Sequence, residues 1–285
     1  MCTSYPVYRF QVISSVLFAR IARKRCFGYE MMKSHLKGKS GLEFGGPSAI
    51  FTANHLIPIY GIVHSIDNAN YSPDTIWTSR TGHLRFGSRF GMQLIVEAGD
   101  VSEIASESYD FVAASHVLEH VANPLRALQE WKRIVKPSGT ILIVLPHKAN
   151  TFDHRRHFTT FDHIRSDFES SVTEADLTHL EEILELHDMD LDPPAGSREQ
   201  FRKRCLQNRS KRAMHHHVFS PELIVEMFSL LEMRVLNVAV ERPYHIIVDA
   251  MKPSPSERVD VHLENAGFLN AQAEWRKHDP FRMRA

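Results

Sequence analysis

Three side chains able to move protons or hold a metal stand within five residues: His116, Glu119 and His120. Histidine changes charge near neutral pH, and with a carboxylate beside it the pair can act as a general base or ligate a cation. A second polar group follows at Asp153-His154-Arg155-Arg156-His157, where arginine offers a planar fork for a carboxylate or phosphate. A third set is acidic and regularly placed: Glu43 ahead of Gly45-Gly46, then Asp67, then Asp100-Val101. An acid followed by glycines at a strand end lets the backbone approach a nucleoside, and a carboxylate about twenty residues further on can accept both ribose hydroxyls. These groups work together only if strands bring their ends to one edge.

The stretch from Tyr109 to Pro146 supplies the clearest positioning unit. Phe111-Val112-Ala113-Ala114 is short enough for a buried strand, and Ser115 to His120 leaves its end. After Asn123-Pro124, the residues Leu125, Leu128, Trp131 and Val135 recur at helical spacing and predict a one-faced helix. Lys136-Pro137-Ser138-Gly139 stops it, and Ile141 to Leu145 is apolar without alternation, as in a strand covered on both faces. The unit is a βαβ crossover. Gly61 to Ile66 reads as a second strand ending at Asp67, and Leu94 to Val96 as a third.

Asp110-Phe111-Val112, Leu118-Glu119-His120-Val121 and Lys136-Pro137-Ser138-Gly139-Thr140 together resemble the fourth-to-fifth-strand stretch of class I S-adenosylmethionine-dependent methyltransferases of the small-molecule type. In that family the last motif usually ends in a proline and two glycines; here Ser138 takes the place of the first glycine. Glu43 to Ala49 resembles the family's first motif, acid-x-Gly-x-Gly-x-Gly, with Pro47 and Ala49 where the second and third glycines would stand. Proline donates no backbone hydrogen bond, so contacts to the methionine part of the cofactor differ there.

The resemblance implies an α/β fold: a Rossmann-like doubly wound sheet, mostly parallel with an antiparallel edge strand, plus a helical insertion. Val235 to Val240 and Ile246 to Val248 are the expected last strands. It implies S-adenosyl-L-methionine as cofactor, bound by Glu43, Gly45, Gly46, Asp67, Asp100, Val101 and Ser115, with Asp100 near the adenine amino group. A small-molecule or sugar-like acceptor, methylated at oxygen, would lie by Asp153, Arg155, Arg156 and His157, because ligands of open sheets sit beyond the carboxyl ends of strands. A hydroxyl acceptor needs a base, for which His120 is the first candidate and His116 the second. Some related O-methyltransferases hold a divalent cation with an acid-x-x-Glu-His cluster; Glu119 and His120 match it, and His116 replaces the first acid.

Other chemistries fit less well. His116 to His120 also spells the H-x-x-E-H of inverted zinc peptidases, but it follows a strand directly and Pro124 closes off the long helix such a site needs. Asp188-x-Asp190-x-Asp192 mimics a calcium loop, yet Pro193 stands where glycine must turn the chain. A nicotinamide or nucleotide-sugar enzyme on the same type of sheet is an alternative lacking the dinucleotide fingerprint. A non-catalytic nucleoside-binding partner of another enzyme is a second alternative.

The 285 residues, 43% hydrophobic, suffice for one domain with an insertion. Thirty-four basic against 34 acidic side chains gives no electrostatic case for nucleic acid. Three separated cysteines argue for a reducing, cytoplasmic setting. No apolar run approaches the roughly 20 residues of a membrane span. The expected organisation is an N-terminal helical segment over 1–40, a methyltransferase domain over 41–252 with a helical insertion at about 166–213, and a polar tail over 253–285. Val12 to Ala22, followed by Arg23-Lys24-Arg25, is read as a helix packed on the domain, with contact to a membrane surface as the alternative.

Overall fold

The computed structural model describes residues 24–73, 83–86 and 89–282. Both readings of Val12 to Ala22, packed helix and membrane-surface contact, therefore lie outside the described residues. Eight strands form one sheet: β1 (Ser40–Phe44), β2 (Ser65–Asn70), β3 (His83–Phe86), β4 (Arg89–Ile95), β5 (Tyr109–Ser115), β6 (Val135–Pro146), β7 (Arg234–Glu241) and β8 (His245–Met251). Their order is β3-β4-β2-β1-β5-β6-β8-β7. The strands β4, β2, β1, β5 and β6 run parallel, whereas β8 is antiparallel to both neighbours and β3 to β4. The antiparallel pairing expected at the edge is present, since β7 at one edge pairs antiparallel with β8 and β3 at the other with β4. Only Arg242-Pro243-Tyr244 joins β7 to β8, and a three-residue link permits a hairpin but no crossover.

Central strands are apolar throughout because both faces are covered. Val112 and Ala114 of β5, with Ile141, Ile143 and Leu145 of β6, enter one core with Trp131 and Phe228. Phe111, Ala113, Leu142 and Val144, the alternate residues, enter the other with Met32, Leu36 and Ile59. Helix α1 (Tyr29–Leu36) supplies Met32 and Leu36 on one face and α2 (Pro124–Ile134) supplies Trp131 on the other. The start of α2 follows from Asn123, whose side chain accepts from the Arg126 amide, and from Pro124 in the first turn.

Two expected boundaries move. The second strand begins at Ser65, not Gly61, and runs on to Asn70, so Asp67 lies inside it. Val63 is apolar because it packs against the α1 side of the sheet, not because it belongs to a strand. Likewise Lys136 to Gly139 does not separate helix from strand, since β6 begins at Val135. Ser138 takes φ 61° and its amide donates to the Lys252 carbonyl. A Cβ on Gly139 would stand 2.5 Å from the Asp110 carbonyl oxygen, which is why glycine survives there.

After β6 the insertion folds as α3 (Phe161–Glu169), α4 (Leu180–Leu186), α5 (Arg198–Leu206) and α6 (Asn208–Lys211), starting a little earlier than the expected 166. It has a small core of its own, Leu180, Ile183, Phe201, Cys205 and Met214. The chain returns to the sheet through α7 (Pro221–Leu230), capped by Ser220.

The polar segment expected as a tail is instead folded onto the sheet as α8 (Val261–Leu269) and α9 (Glu274–His278). Trp275 is buried in the main core, and Asn265 is wholly buried between α7 and β7. Its side chain accepts from the Val235 amide (2.8 Å) and donates to the Met233 carbonyl (2.9 Å) and Ser229 hydroxyl (2.9 Å). Replacing it orphans two backbone groups, so Asn265→Ala is expected to lower stability by about 2–4 kcal/mol in chemical denaturation. A loss within about 0.5 kcal/mol, ordinary for surface positions, would return the segment to a loosely held tail.

Candidate active site

A cavity of about 820 Å³ opens beyond the carboxyl ends of the parallel strands, within the range of small-ligand sites. Gly45 and Ser48 line it after β1, Asn70 and Tyr71 after β2, Glu97 and Ala98 after β4, and Ser115 to Val117 with Glu119 and His120 after β5. The opposite wall comes from the insertion and its return: Leu191, Asp192, Pro194, Arg204, Arg212 and His215.

The β1 turn is shaped by its glycines. Gly45 adopts φ 73°, and a Cβ there would lie 2.4 Å from Val117 Cγ2. A Cβ on Gly46 would lie 2.4 Å from the carboxylate oxygens of Glu43. Glu43 does not line the cavity: it is wholly buried beneath the turn, accepting from the Ser48 amide (3.0 Å) and the Tyr60 hydroxyl (2.7 Å). It holds the turn in place rather than facing a ligand.

Asp67 is likewise displaced from its expected role. Its carboxylate accepts from the Met92 amide (2.8 Å) and the Tyr109 hydroxyl (2.9 Å), three residues short of the strand end, and it does not line the cavity. Asn70 occupies the strand end, with its amide nitrogen donating to Asn68 Oδ1 (2.9 Å). Asp100 is exposed and caps the Ser102 amide (3.2 Å), Val101 is in the core, and Glu97 and Ala98 stand at the cavity instead.

Beyond β5 the chain turns sharply, with His116 at φ 55° and its amide held by the Val144 carbonyl. His116 Nε2 meets His245 Nδ1 at 3.1 Å, and its Nδ1 lies 3.5 Å from Glu119 Oε1. Glu119 is buried; burial opposes its charge, but His116 and the neighbouring imidazoles outweigh that and hold its pKa below the ordinary range. Its Oε2 is buried without a hydrogen-bond partner. His120 Nδ1 must carry the proton, since it donates to the Met214 carbonyl (3.0 Å). Burial, then His215, pushes the His120 pKa down to about 4, so the ring is neutral at neutral pH.

His215 stands 4.6 Å ring to ring from His120 and enters from the segment that returns from the insertion. Its Nδ1 donates to Asp153 Oδ2 at 2.6 Å. Burial works against a charge on His215, yet Asp153 outweighs it and raises the pKa. Asp153 is held down to about 2, the cost of burial being overcome by His215 and then Arg156. No spacing signal links residues 153 and 215; only the return of the insertion joins them.

The other expected acceptor residues do not reach the cavity. Arg156 is wholly buried, bonding Asp153 Oδ1 (3.1 Å), the carbonyls of His215 (2.8 Å) and His216 (3.1 Å), and Glu182 (3.3 Å). With every donor direction engaged it is a staple, not an acceptor clamp. Arg155 pairs with Asp188 (2.9 Å), which His154 also reaches, and His157 is exposed. The arginines at the cavity are Arg204, paired with Asp192 (2.9 Å), and Arg212, paired with Glu97 (2.6 Å) and Glu174 (3.1 Å). These pairings also occupy Asp188 and Asp192, two of the three aspartates of the calcium-like run.

Desolvation pushes the Glu43 pKa up to about 7, against the hydrogen bonds from Ser48 and Tyr60. A carboxyl raised in the folded state binds its proton more tightly there, so its contribution is full below the unfolded value of 4.5 and is lost as pH rises through about 7. Glu43→Gln should therefore gain stability relative to the parent between pH 5 and 8, by about 3 kcal/mol at the upper end. Parallel stability profiles for the two proteins over that range would contradict it.

Residues 54–143 match the family described as "Methyltransferase domain". No curated protein matches the chain. Among solved structures, the chain is similar to an S-adenosylmethionine-dependent methyltransferase from Aquifex aeolicus, with 12% identity, a TM-score of 0.43, and 88% of this chain and 100% of that one covered. A second, from Mesorhizobium loti, shares 11% identity at a TM-score of 0.45, covering 79% of this chain and 97% of that one. A third, from Methanosarcina mazei, shares 11% at 0.42, covering 79% and 98%. The match over residues 54–143 is to a methyltransferase domain, and the order of motifs along the chain agrees with it.

Proposed function

We propose that S-adenosylmethionine lies across the ends of β1, β2 and β4, and that its methyl passes to a hydroxyl of a small-molecule or sugar-like acceptor held between the β5 turn and the insertion. Two observations support the cofactor's place. A Cβ at Gly45 would fill the turn, and Asn70 brings a polar side chain to the strand end where a ribose edge needs a partner. The observation that carries the acceptor chemistry is the Asp153–His215 pair at 2.6 Å, at the cavity wall.

A sulfonium methyl is already electrophilic, so the chain has to align acceptor, carbon and sulfur and keep water away. Leu191 and Pro194 give the insertion wall an apolar surface for that exclusion. The acceptor proton goes to His215 Nε2, the nitrogen left once Nδ1–H is committed to Asp153, and the carboxylate stabilises the imidazolium that forms. His120, neutral and anchored on Met214, orients the acceptor oxygen rather than removing its proton. The base therefore shifts from His120 or His116 to His215, and His116 becomes a support for Glu119.

A second reading has one observation in its favour. Glu119, His120 and His215 bring ligand atoms within 4.8 Å of one another, and Glu119 Oε2 lacks a donor. A divalent cation held by these three would polarise the acceptor oxygen, with Asp153 behind His215 as an outer carboxylate.

Calorimetry with S-adenosylmethionine and NAD, followed by methyl turnover on a panel of hydroxyl compounds, tests the proposal; preference for NAD, or binding with no turnover on any acceptor, would overturn it. Asn70→Ala should weaken S-adenosylmethionine by about 0.5–1.5 kcal/mol, the worth of a neutral hydrogen bond, while Asp67→Asn leaves affinity nearly unchanged. His215→Ala should lower turnover about a hundredfold or more with cofactor affinity kept. The base must be unprotonated, so turnover rises with pH through the His215 pKa. Asp153→Asn removes the charge that raises that pKa and should move this acidic limb to lower pH; an unmoved limb would take the base role from His215.

A further inference from the structure

A second cluster lies outside the cavity, at the root of the insertion. His163 and Asp167 stand one turn apart on α3, His179 immediately precedes α4, and His217 lies on the returning segment. One ring nitrogen from each histidine and a carboxylate oxygen of Asp167 all lie within 4.8 Å of one another. Two of the separations are tighter: His163 Nε2 to His179 Nε2 is 3.2 Å and His163 Nε2 to Asp167 Oδ2 is 3.3 Å. Four ligands at 2.0–2.1 Å around a tetrahedral zinc ion stand about 3.3 Å apart edge to edge. The cluster therefore already has nearly the dimensions of a closed N3O site.

Its protons do not balance as a hydrogen-bond network. Asp167 Oδ2 is buried and accepts no hydrogen bond, although three imidazoles surround it. His163 and His179 point nitrogens at each other, where at most one can carry a proton. His217 is fully enclosed; its Nε2 donates to the Ala122 carbonyl (3.1 Å), which leaves the lone pair on Nδ1, itself buried and unpartnered, as the one it can offer a metal. A dication resolves these features together, by accepting the lone pairs and neutralising the carboxylate. Glu182, 3.8 Å behind His179 Nδ1, is placed as an outer carboxylate, and His163, with 41% of its side chain exposed, leaves an entry path.

We propose that His163, Asp167, His179 and His217 form a structural site for a divalent transition metal, zinc by its donor set, which pins the insertion to the methyltransferase domain. Three imidazoles, one carboxylate and four-coordinate geometry suit zinc, whereas magnesium and calcium require six or more oxygens. None of the four residues lines the cavity, and the site stands or falls independently of the proposed transfer chemistry. Its mechanical meaning comes from its members. They tie α3, the start of α4 and the returning segment into one unit, and His217 also reaches the Ala122 carbonyl at 3.1 Å, two residues past His120.

The test uses the full chain without a chelating tag, purified from zinc-supplemented medium. Its metal content is measured by mass spectrometry beside that of His163→Ala, Asp167→Asn and His120→Ala. The first two should each lose about one ion per chain and the third should retain that ion, as expected of a four-ligand structural site. His163 is half-exposed, so its replacement is tolerated by the fold, which far-ultraviolet circular dichroism verifies. As a second readout, cobalt(II) added to metal-stripped protein should give the intense visible bands of tetrahedral coordination, absent from His163→Ala, and zinc should raise the melting temperature of the parent by several degrees but not that of the variant. A chain that binds neither zinc nor cobalt, or bands and zinc content that survive both His163→Ala and Asp167→Asn, would overturn the site.

Discussion

The buried carboxylate of Asp153 is the point on which the site depends. One oxygen accepts from the Arg156 guanidinium and the other from His215, so a loop leaving β6 is locked to a segment that returns to the sheet more than sixty residues later. A wholly buried charge is tolerable only when its partners are in place, and removing one from such a pair typically costs about 3–5 kcal/mol. Arg156 spends its remaining donors on two carbonyls of the returning segment and on Glu182 of the insertion. Insertion, loop and cavity histidine are thus one electrostatic unit. The same interaction that fixes the wall also sets the basicity of His215, which couples the folding of the insertion to the chemistry at the cavity.

A similar economy governs the cofactor side. Glu43 and Asp67 are acids in the right stretch of sequence, but their carboxylates point into the protein and are satisfied there by Tyr60, Ser48, Tyr109 and Met92. They shape backbone. The groups left at the cavity are a bare glycine turn, an asparagine at the end of β2 and the Glu97–Arg212 pair, the last shared with the insertion. Because Arg212 bridges Glu97 and Glu174, the strand-end wall of the cavity and the insertion wall are joined by charge as well as by chain.

The parallel core was legible because strands buried on both faces must be apolar at every position, a pattern that β5 and β6 display without interruption. Helix α2 was legible from its cap, its proline and its single apolar face. The second strand was misplaced because Ile62 and Val63 are apolar for a different reason, packing beside α1, and periodicity cannot distinguish the two. That error carried Asp67 to a strand end it does not occupy. The C-terminal helices were hidden because the anchor of α8 is Asn265, a polar residue buried for its hydrogen bonds, while Leu263 on the same helix faces solvent. Arg156 looked like a surface arginine for the converse reason: its burial depends on acceptors far along the chain.

What remained illegible shares one cause. Each missed contact joins a residue earlier in the chain to the segment that returns from the insertion: Asp153 with His215, Glu97 with Arg212, Asp167 with His217. Local spacing encodes strands, caps and turns, but it carries no information on which loop a returning segment meets. The insertion has a small buried core of its own and sends Ile164, Phe161 and Phe168 of α3 to the main core, and buried ions and imidazoles tie the rest of it to the domain. Hydrophobic contact is non-directional and tolerates sliding, whereas an Asp–Arg–His arrangement is satisfied in one register only. A wall that must stand within hydrogen-bond reach of a reacting oxygen is better placed by the second kind of contact, and this is where the chain has concentrated its histidines.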